Sequence, residues 1–65
     1  MTKQEIEFIK KSDKFIVFKD GKRIEFSDYP SAATFYNSNV RTASKIELQA
    51  VCGMAGLTVA YHYSK

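Results

Sequence analysis

The residues of this chain best suited to chemistry are cations beside a turn. Lys19, Lys22 and Arg23 flank an Asp20-Gly21 pair, and Lys10, Lys11 and Lys14 stand just upstream. Ammonium and guanidinium groups gathered in this way can hold phosphate; a two-stranded ribbon can enter a nucleic-acid groove, and aromatics beside cations suit single strands. The same lysines would also guard a strand edge against aggregation, and Phe15, Phe18 and Phe26 are wanted as core in so small a domain. A second group, Arg41, Thr42, Ser44 and Lys45, has side chains able to reach phosphates and base edges. Only Arg41 and Lys45 are basic there and Glu47 opposes them, so this group binds weakly without the first. From Lys3 to Arg23 seven basic residues stand against four acidic ones, and from Ile24 onward the charges cancel, so the net +3 belongs to the first half. A charge of that size favours encounter with polyanions and is equally an ordinary solubility margin.

Catalytic constellations are missing. No pattern links His62 to Cys52 as a nucleophile pair, and Cys52 beside Val51 reads as a small buried hydrophobe. A single Cys makes no internal disulfide, and one Cys with one His cannot supply the four ligands of a structural zinc site. Glu5, Glu7, Asp13, Asp20, Glu25, Asp28 and Glu47 are scattered among Lys and Arg and read as solvated surface. Gly53-Met54-Ala55-Gly56 matches neither a P-loop nor a dinucleotide fingerprint and reads as a plain turn. At 65 residues the chain buries only about 60% of the surface that its unfolded form exposes, too little for a packed core and a deep catalytic pocket together. The expectation is a binding protein and not an enzyme, with no metal and no cofactor.

The elements that must position these residues follow from periodicity. At 45% apolar and 26% charged, the composition is that of one folded globular domain, 1–65, without linker, repeat or low-complexity tract. The longest apolar run, Phe15 to Phe18, is far short of the ~20 residues of a membrane span. The N-terminus has no apolar signal stretch, so a cytoplasmic protein is expected. Asp20-Gly21 between β-branched and aromatic runs predicts a hairpin, because a type I′ turn needs positive φ at both central residues. Ile24 and Phe26 alternate with Arg23 and Glu25, whereas Phe15-Ile16-Val17-Phe18 is apolar on both faces and reads as a central strand, or as one covered by helices on one side with another strand beside it. Residues 2–11 carry two patterns. Thr2-Lys3-Gln4-Glu5 fits a capping box opening a helix, while Glu5-Ile6-Glu7-Phe8 alternates at period two; the strand is the expectation, giving a three-stranded meander.

Past Phe26 the period changes. Ser27-Asp28-Tyr29-Pro30 supplies cap residues and a first-turn Pro for a short helix that Asn37-Ser38-Asn39 ends. Ser44-Lys45-Ile46-Glu47 fits another capping box, with Ile46, Ala50 and Val51 on one helical face and Gly53 at C′, which predicts a second helix over about 42–52. Leu57 to Tyr63 alternates as a last strand, with Leu57, Val59, Tyr61 and Tyr63 on one face and His62 on the other. The expected fold is α+β: an antiparallel β-meander or hairpin, two short helices and a C-terminal strand.

The order Ile16-Val17-Phe18-Lys19-Asp20-Gly21-Lys22, then Phe26-Ser27, Ser31-Ala32-Ala33, a second helix, Gly56 and a strand reaching Tyr61 resembles the nuclease-associated modular repeats of homing endonucleases. Similar small phage-encoded proteins share the pattern, and the resemblance covers about residues 15–63. It implies a β-hairpin ahead of a helix-turn-helix whose second helix touches DNA through Arg41, Thr42, Ser44 and Lys45. On this reading the protein is a phage or mobile-element DNA-binding module, working in the host cytoplasm, with Lys19, Lys22 and Arg23 on phosphate. The rival expectation is a phage-type host-takeover inhibitor that docks on a bacterial protein by a strand edge or an aromatic surface. Nine Phe and Tyr are many for a chain this small to hide, and Tyr is common at interface hot spots, so Tyr29, Tyr36, Tyr61 and Tyr63 are the residues concerned. A homodimer through the last strand is compatible with either function.

Overall fold

The computed structural model describes residues 2–64; the first and last residues of the expected 1–65 domain lie outside the described ones. The elements run α1 (Lys3–Lys11), β1 (Lys14–Lys19), β2 (Lys22–Phe26), α2 (Tyr29–Asn39), β3 (Lys45–Cys52) and β4 (Ala55–Tyr63). The strands form one sheet in the order β2-β1-β3-β4, and every neighbouring pair is antiparallel. The α+β class is as expected.

The first hairpin forms where the sequence predicts it. Asp20 has φ 50° and Gly21 φ 86°, the left-handed pair that lets a two-residue turn follow the right-handed twist of its strands. Lys19 faces Lys22 across that turn, and Phe15 faces Phe26 at the far end. β1 is central, paired with β2 on one side and β3 on the other, which accounts for its being apolar on both faces; Phe15, Ile16 and Val17 are all buried. α2 begins as predicted, with Asp28 Oδ1 accepting from Ser31 N–H at 2.8 Å and Pro30 in the first turn, but it runs on to Asn39.

Two expected elements are corrected. Residues 3–11 form a helix and not a strand, so there is no three-stranded meander at the start. The capping box prevails there: Thr2 Oγ1 accepts from Glu5 N–H at 3.2 Å, and Thr2 N–H donates to Glu5 Oε1 at 3.1 Å. Residues 45–52 form β3 and not a helix. Ser44-Lys45-Ile46-Glu47 has the letters of a capping box, but Ile46, Leu48 and Ala50 alternate with Lys45, Glu47 and Gln49 and point their apolar side into the core. That period of two is worth more here than a cap, since it buries three side chains. The helix-turn-helix expected at residues 31–52 is therefore not formed, and the two helices stand one at the start and one in the middle of the chain.

β4 forms where a last strand is expected, with one change of face. Leu48 faces Ala60 while Gln49 faces Thr58, so β4 carries an extra residue there, a β-bulge. Leu57, opposite Ala50, thus shares the face of His62, opposite Ile46, and Tyr61 and Tyr63 stand on the other face.

The core lies on one side of the sheet. Phe15 and Val17 from β1 and Ile46, Leu48 and Ala50 from β3 pack with Ala32 of α2 and Ala43, and Phe8, Ile9, Phe35 and Tyr36 of the helices close over them. α2 lies across β1, β2 and β3, whereas α1 lies across β3 and β4. The chain is thus helix-strand-strand twice over, a repeat of elements that its residues do not display, and the opposite sheet face is left open.

Candidate nucleic-acid interface

The two predicted groups of polar residues meet at one end of the sheet. The hairpin tip carries Lys19, Lys22 and Arg23, and the loop from Val40 to Ser44, which carries Arg41, Thr42 and Ser44, ends beside it at Lys45. Asp20 joins them: its Oδ1 accepts from Ser44 N–H at 2.9 Å and Lys45 N–H at 3.0 Å, and its own N–H donates to Lys45 O at 2.9 Å. Lys19 Nζ donates to Asn39 Oδ1 at 2.8 Å, while Asn39 Nδ2 donates back to Phe35 O. An ammonium at the end of α2 also suits the carbonyl end of the helix dipole. The second group therefore lies on a loop and a strand start, not on a recognition helix.

These side chains are not equally free. Lys19 is held by Asn39. Arg23 Nη2 sits 3.0 Å from Glu25 Oε1, which also lies 3.3 Å from Lys14 Nζ. The Lys14 hydrogen bond and charge, with Arg23 beside them, hold the Glu25 carboxyl below its usual range. Thr42 Oγ1 donates to Asn39 O, so it serves its own loop. Lys22, Arg41 and Lys45 are exposed and form no ion pair among the described residues.

The open sheet face adds aromatic surface that sequence reading assigned elsewhere. Register and alternation set Arg23, Phe18, Glu47 and Tyr61 in one row across all four strands, and place Lys45 and Tyr63 in the next row towards the tip. Tyr61 is 64% and Tyr63 57% exposed, and their rings lie 5.4 Å apart at 41°. Phe18, Gly21, Lys45, Glu47 and Tyr63 line an open depression at this end. Of the three phenylalanines expected in the core, Phe15 and Phe26 are there, on the helix side, whereas Phe18 stands on the open face. The alternation of residues 45–50, read as strand, would have exposed Glu47 as part of this face.

The four tyrosines divide. Tyr29 packs edge-on against Phe15 at 5.7 Å, and Tyr36 is half-buried against the core, where burial pushes its phenol upward. Only Tyr61 and Tyr63 are surface. Cys52 lies at the turn between β3 and β4 and His62 at the far end of that hairpin, so the two are held apart. No group of three or more His, Cys, Asp or Glu among the described residues could hold a metal ion, and no described helix is long and apolar enough to cross a membrane.

A single antiparallel sheet with one helix-covered face and one open face defines the class of this protein, a two-layer α+β domain. Comparison with protein-family models, with curated proteins and with solved structures finds no match to this chain.

Proposed function

We propose that this protein binds nucleic acid, without catalysis, through the end of the sheet where the hairpin tip meets the loop before β3. One observation carries the reading: Asp20 ties the two basic segments together, so that Lys22, Arg41 and Lys45 gather at the end of the sheet whose open face carries the exposed tyrosine pair, with Lys45 directly opposite Tyr63. Cations grip phosphate and release its counterions, and ring faces accept bases. Lys19 and Arg23, each engaged with a neighbour, contribute field more than contacts, and Thr42 and Ser44 shape the loop. A regulatory module of a phage or mobile element, as the sequence resemblance implies, would act in this way by occupancy alone.

The test is fluorescence anisotropy of labelled oligonucleotides at several salt concentrations. Binding should weaken steeply with salt, and the Lys22→Gln, Arg41→Gln, Lys45→Gln triple variant should flatten the log–log slope by about 2, at about 0.7 per phosphate contact on a single strand. Absence of binding at low salt ends the proposal.

A second reading has its own support. β4 is an edge strand of nine residues with no Lys, Arg, Asp, Glu or Pro, whereas β2 at the other edge carries Lys22, Arg23 and Glu25. An uncharged edge can pair with another chain. A bacterial protein taken up there, as by a host-takeover inhibitor, would survive salt that strips phosphate contacts, and a homodimer on the same edge would show as doubled mass in solution.

A further inference from the structure

We propose that the open face takes a single strand, bases inward over Phe18, Tyr61 and Tyr63, with Glu47 accepting from the exocyclic amino groups of those bases. The proposal rests on nucleic acid being the partner and names the form that the face selects. Three features of the face lead to it.

The first is width. Four strands spaced about 4.8 Å apart span about 14 Å, more than the ~12 Å major groove of a duplex, so the flat face cannot enter one. The second is the sign of charge. Glu47 stands at the centre of the row between Phe18 and Tyr61, where a carboxylate repels phosphate. A duplex presents its phosphates to any flat surface, whereas a single strand can turn its bases to the middle of the face. Its phosphates then fall at the rim at the hairpin end, where Lys45 stands in the row beyond Glu47 and Lys22 and Arg41 lie at the same end of the sheet.

The third is how Glu47 is held. Its Oε2 accepts from Gln49 Nε2 at 2.6 Å and from Thr58 Oγ1 at 2.9 Å, which fixes the carboxylate against the sheet. Oε1 has no hydrogen-bond partner among the described residues. An ionised carboxylate is acceptor-only, so it pairs well with the exocyclic amino groups of cytosine or adenine, whereas the one donor of thymine, N3–H, lies between two carbonyls that repel the carboxylate. The aromatic faces take any base; the carboxylate discriminates among them.

The experiment is anisotropy at low salt with four labelled probes of equal length: oligo(dC), oligo(dA), oligo(dT) and a mixed-sequence duplex. The expected order is oligo(dC) and oligo(dA) about fivefold or more tighter than oligo(dT), in line with one hydrogen bond, and every single strand tighter than the duplex. Tyr61→Ala with Tyr63→Ala should cost single-strand affinity about tenfold or more; both side chains are exposed, and circular dichroism confirms that the variant is folded. Glu47→Gln adds an amide donor and should narrow the preference over oligo(dT). A duplex bound as tightly as the single strands, or a tyrosine variant that binds like the parent, overturns the base-inward arrangement while leaving nucleic-acid binding in place. Equal affinity for the three homopolymers overturns the role of Glu47. Failure of all four probes overturns both this inference and the function on which it rests.

Discussion

Asp20 performs two tasks that one residue seldom combines. It holds a positive φ in the turn, which short polar side chains tolerate, and its carboxylate pins the backbone of Ser44 and Lys45. Asp20→Ala loses both, and by the usual worth of charged hydrogen bonds and of left-handed backbone should cost about 2 kcal/mol in urea unfolding. Asp20→Asn keeps the turn tolerance and an acceptor oxygen and should cost less than half of that. The alanine variant should also bind nucleic acid more weakly than Lys22→Gln alone, because it releases a whole loop and not one charge. Equal stability of the two variants would falsify the clasp. The turn is legible in Asp20-Gly21 itself. The clasp is not, because its partners lie 24 and 25 positions away. The division of the tyrosines was hidden for the same reason: Tyr29 is a core residue only because β1 brings Phe15 beneath it.

At the scale of elements, the chain holds two tetrapeptides with capping-box letters, and only the first is a cap. Thr2 to Glu5 precedes Phe8 and Ile9, which pack from α1 against the core. Ser44 to Glu47 opens a run that alternates without a break for six residues, and alternation over that length defines a strand. Local cap chemistry, worth about 1 kcal/mol, yields where burial of Ile46 and Leu48 is at stake, since each such side chain contributes about 2 kcal/mol. Thr2→Ala should accordingly lower stability by about 1 kcal/mol, with the loss of helical signal confined to α1. Leu48→Ala should cost about 2–5 kcal/mol and leave little folded protein at 37 °C.

Acid reads the caps directly. Glu5 is held below its ordinary 4.5 by the Thr2 backbone and hydroxyl, Asp28 below 3.8 by the Ser31 N–H, and Glu25 below 4.5 by Lys14 and Arg23. A carboxyl whose value is lower folded than unfolded adds stability that is complete above the unfolded value and is lost as pH falls through the folded one. The melting temperature should be level from about pH 7 to about pH 5 and decline below about pH 4.5. Asp28→Asn, which keeps the capping oxygen but not the proton equilibrium, should make that decline shallower. All three groups are exposed, so the steps are small, and salt should shrink the part that comes from Glu25.

For the whole molecule, one small α+β domain, a central first strand and a closing strand were all readable, the first from composition and periodicity and the others from local pattern alone. Strand order was not, because β1 and β3 pair across residues such as Phe15 and Ala50, and nothing local announces that meeting. Nor was the repetition of helix-strand-strand. The helices cross between the halves: α1 covers β3 and β4, and α2 reaches across β1 and β2 as well as its own β3. Phe15 and Val17 of the first half complete a core whose other buried members, Ala32, Ala43, Ile46, Leu48 and Ala50, belong to the second. The molecule is a pair of partners joined by a short tether at residues 27–28, and the tether acts by raising the concentration of one partner around the other. Peptides 1–27 and 28–65 should each be unfolded alone by circular dichroism, yet regain the native spectrum when mixed, with a melting temperature that rises with concentration. A cooperative melt from either peptide by itself would show that one half is self-sufficient. If mixing succeeds, the protein can be run as a two-piece switch, present only where both pieces are made.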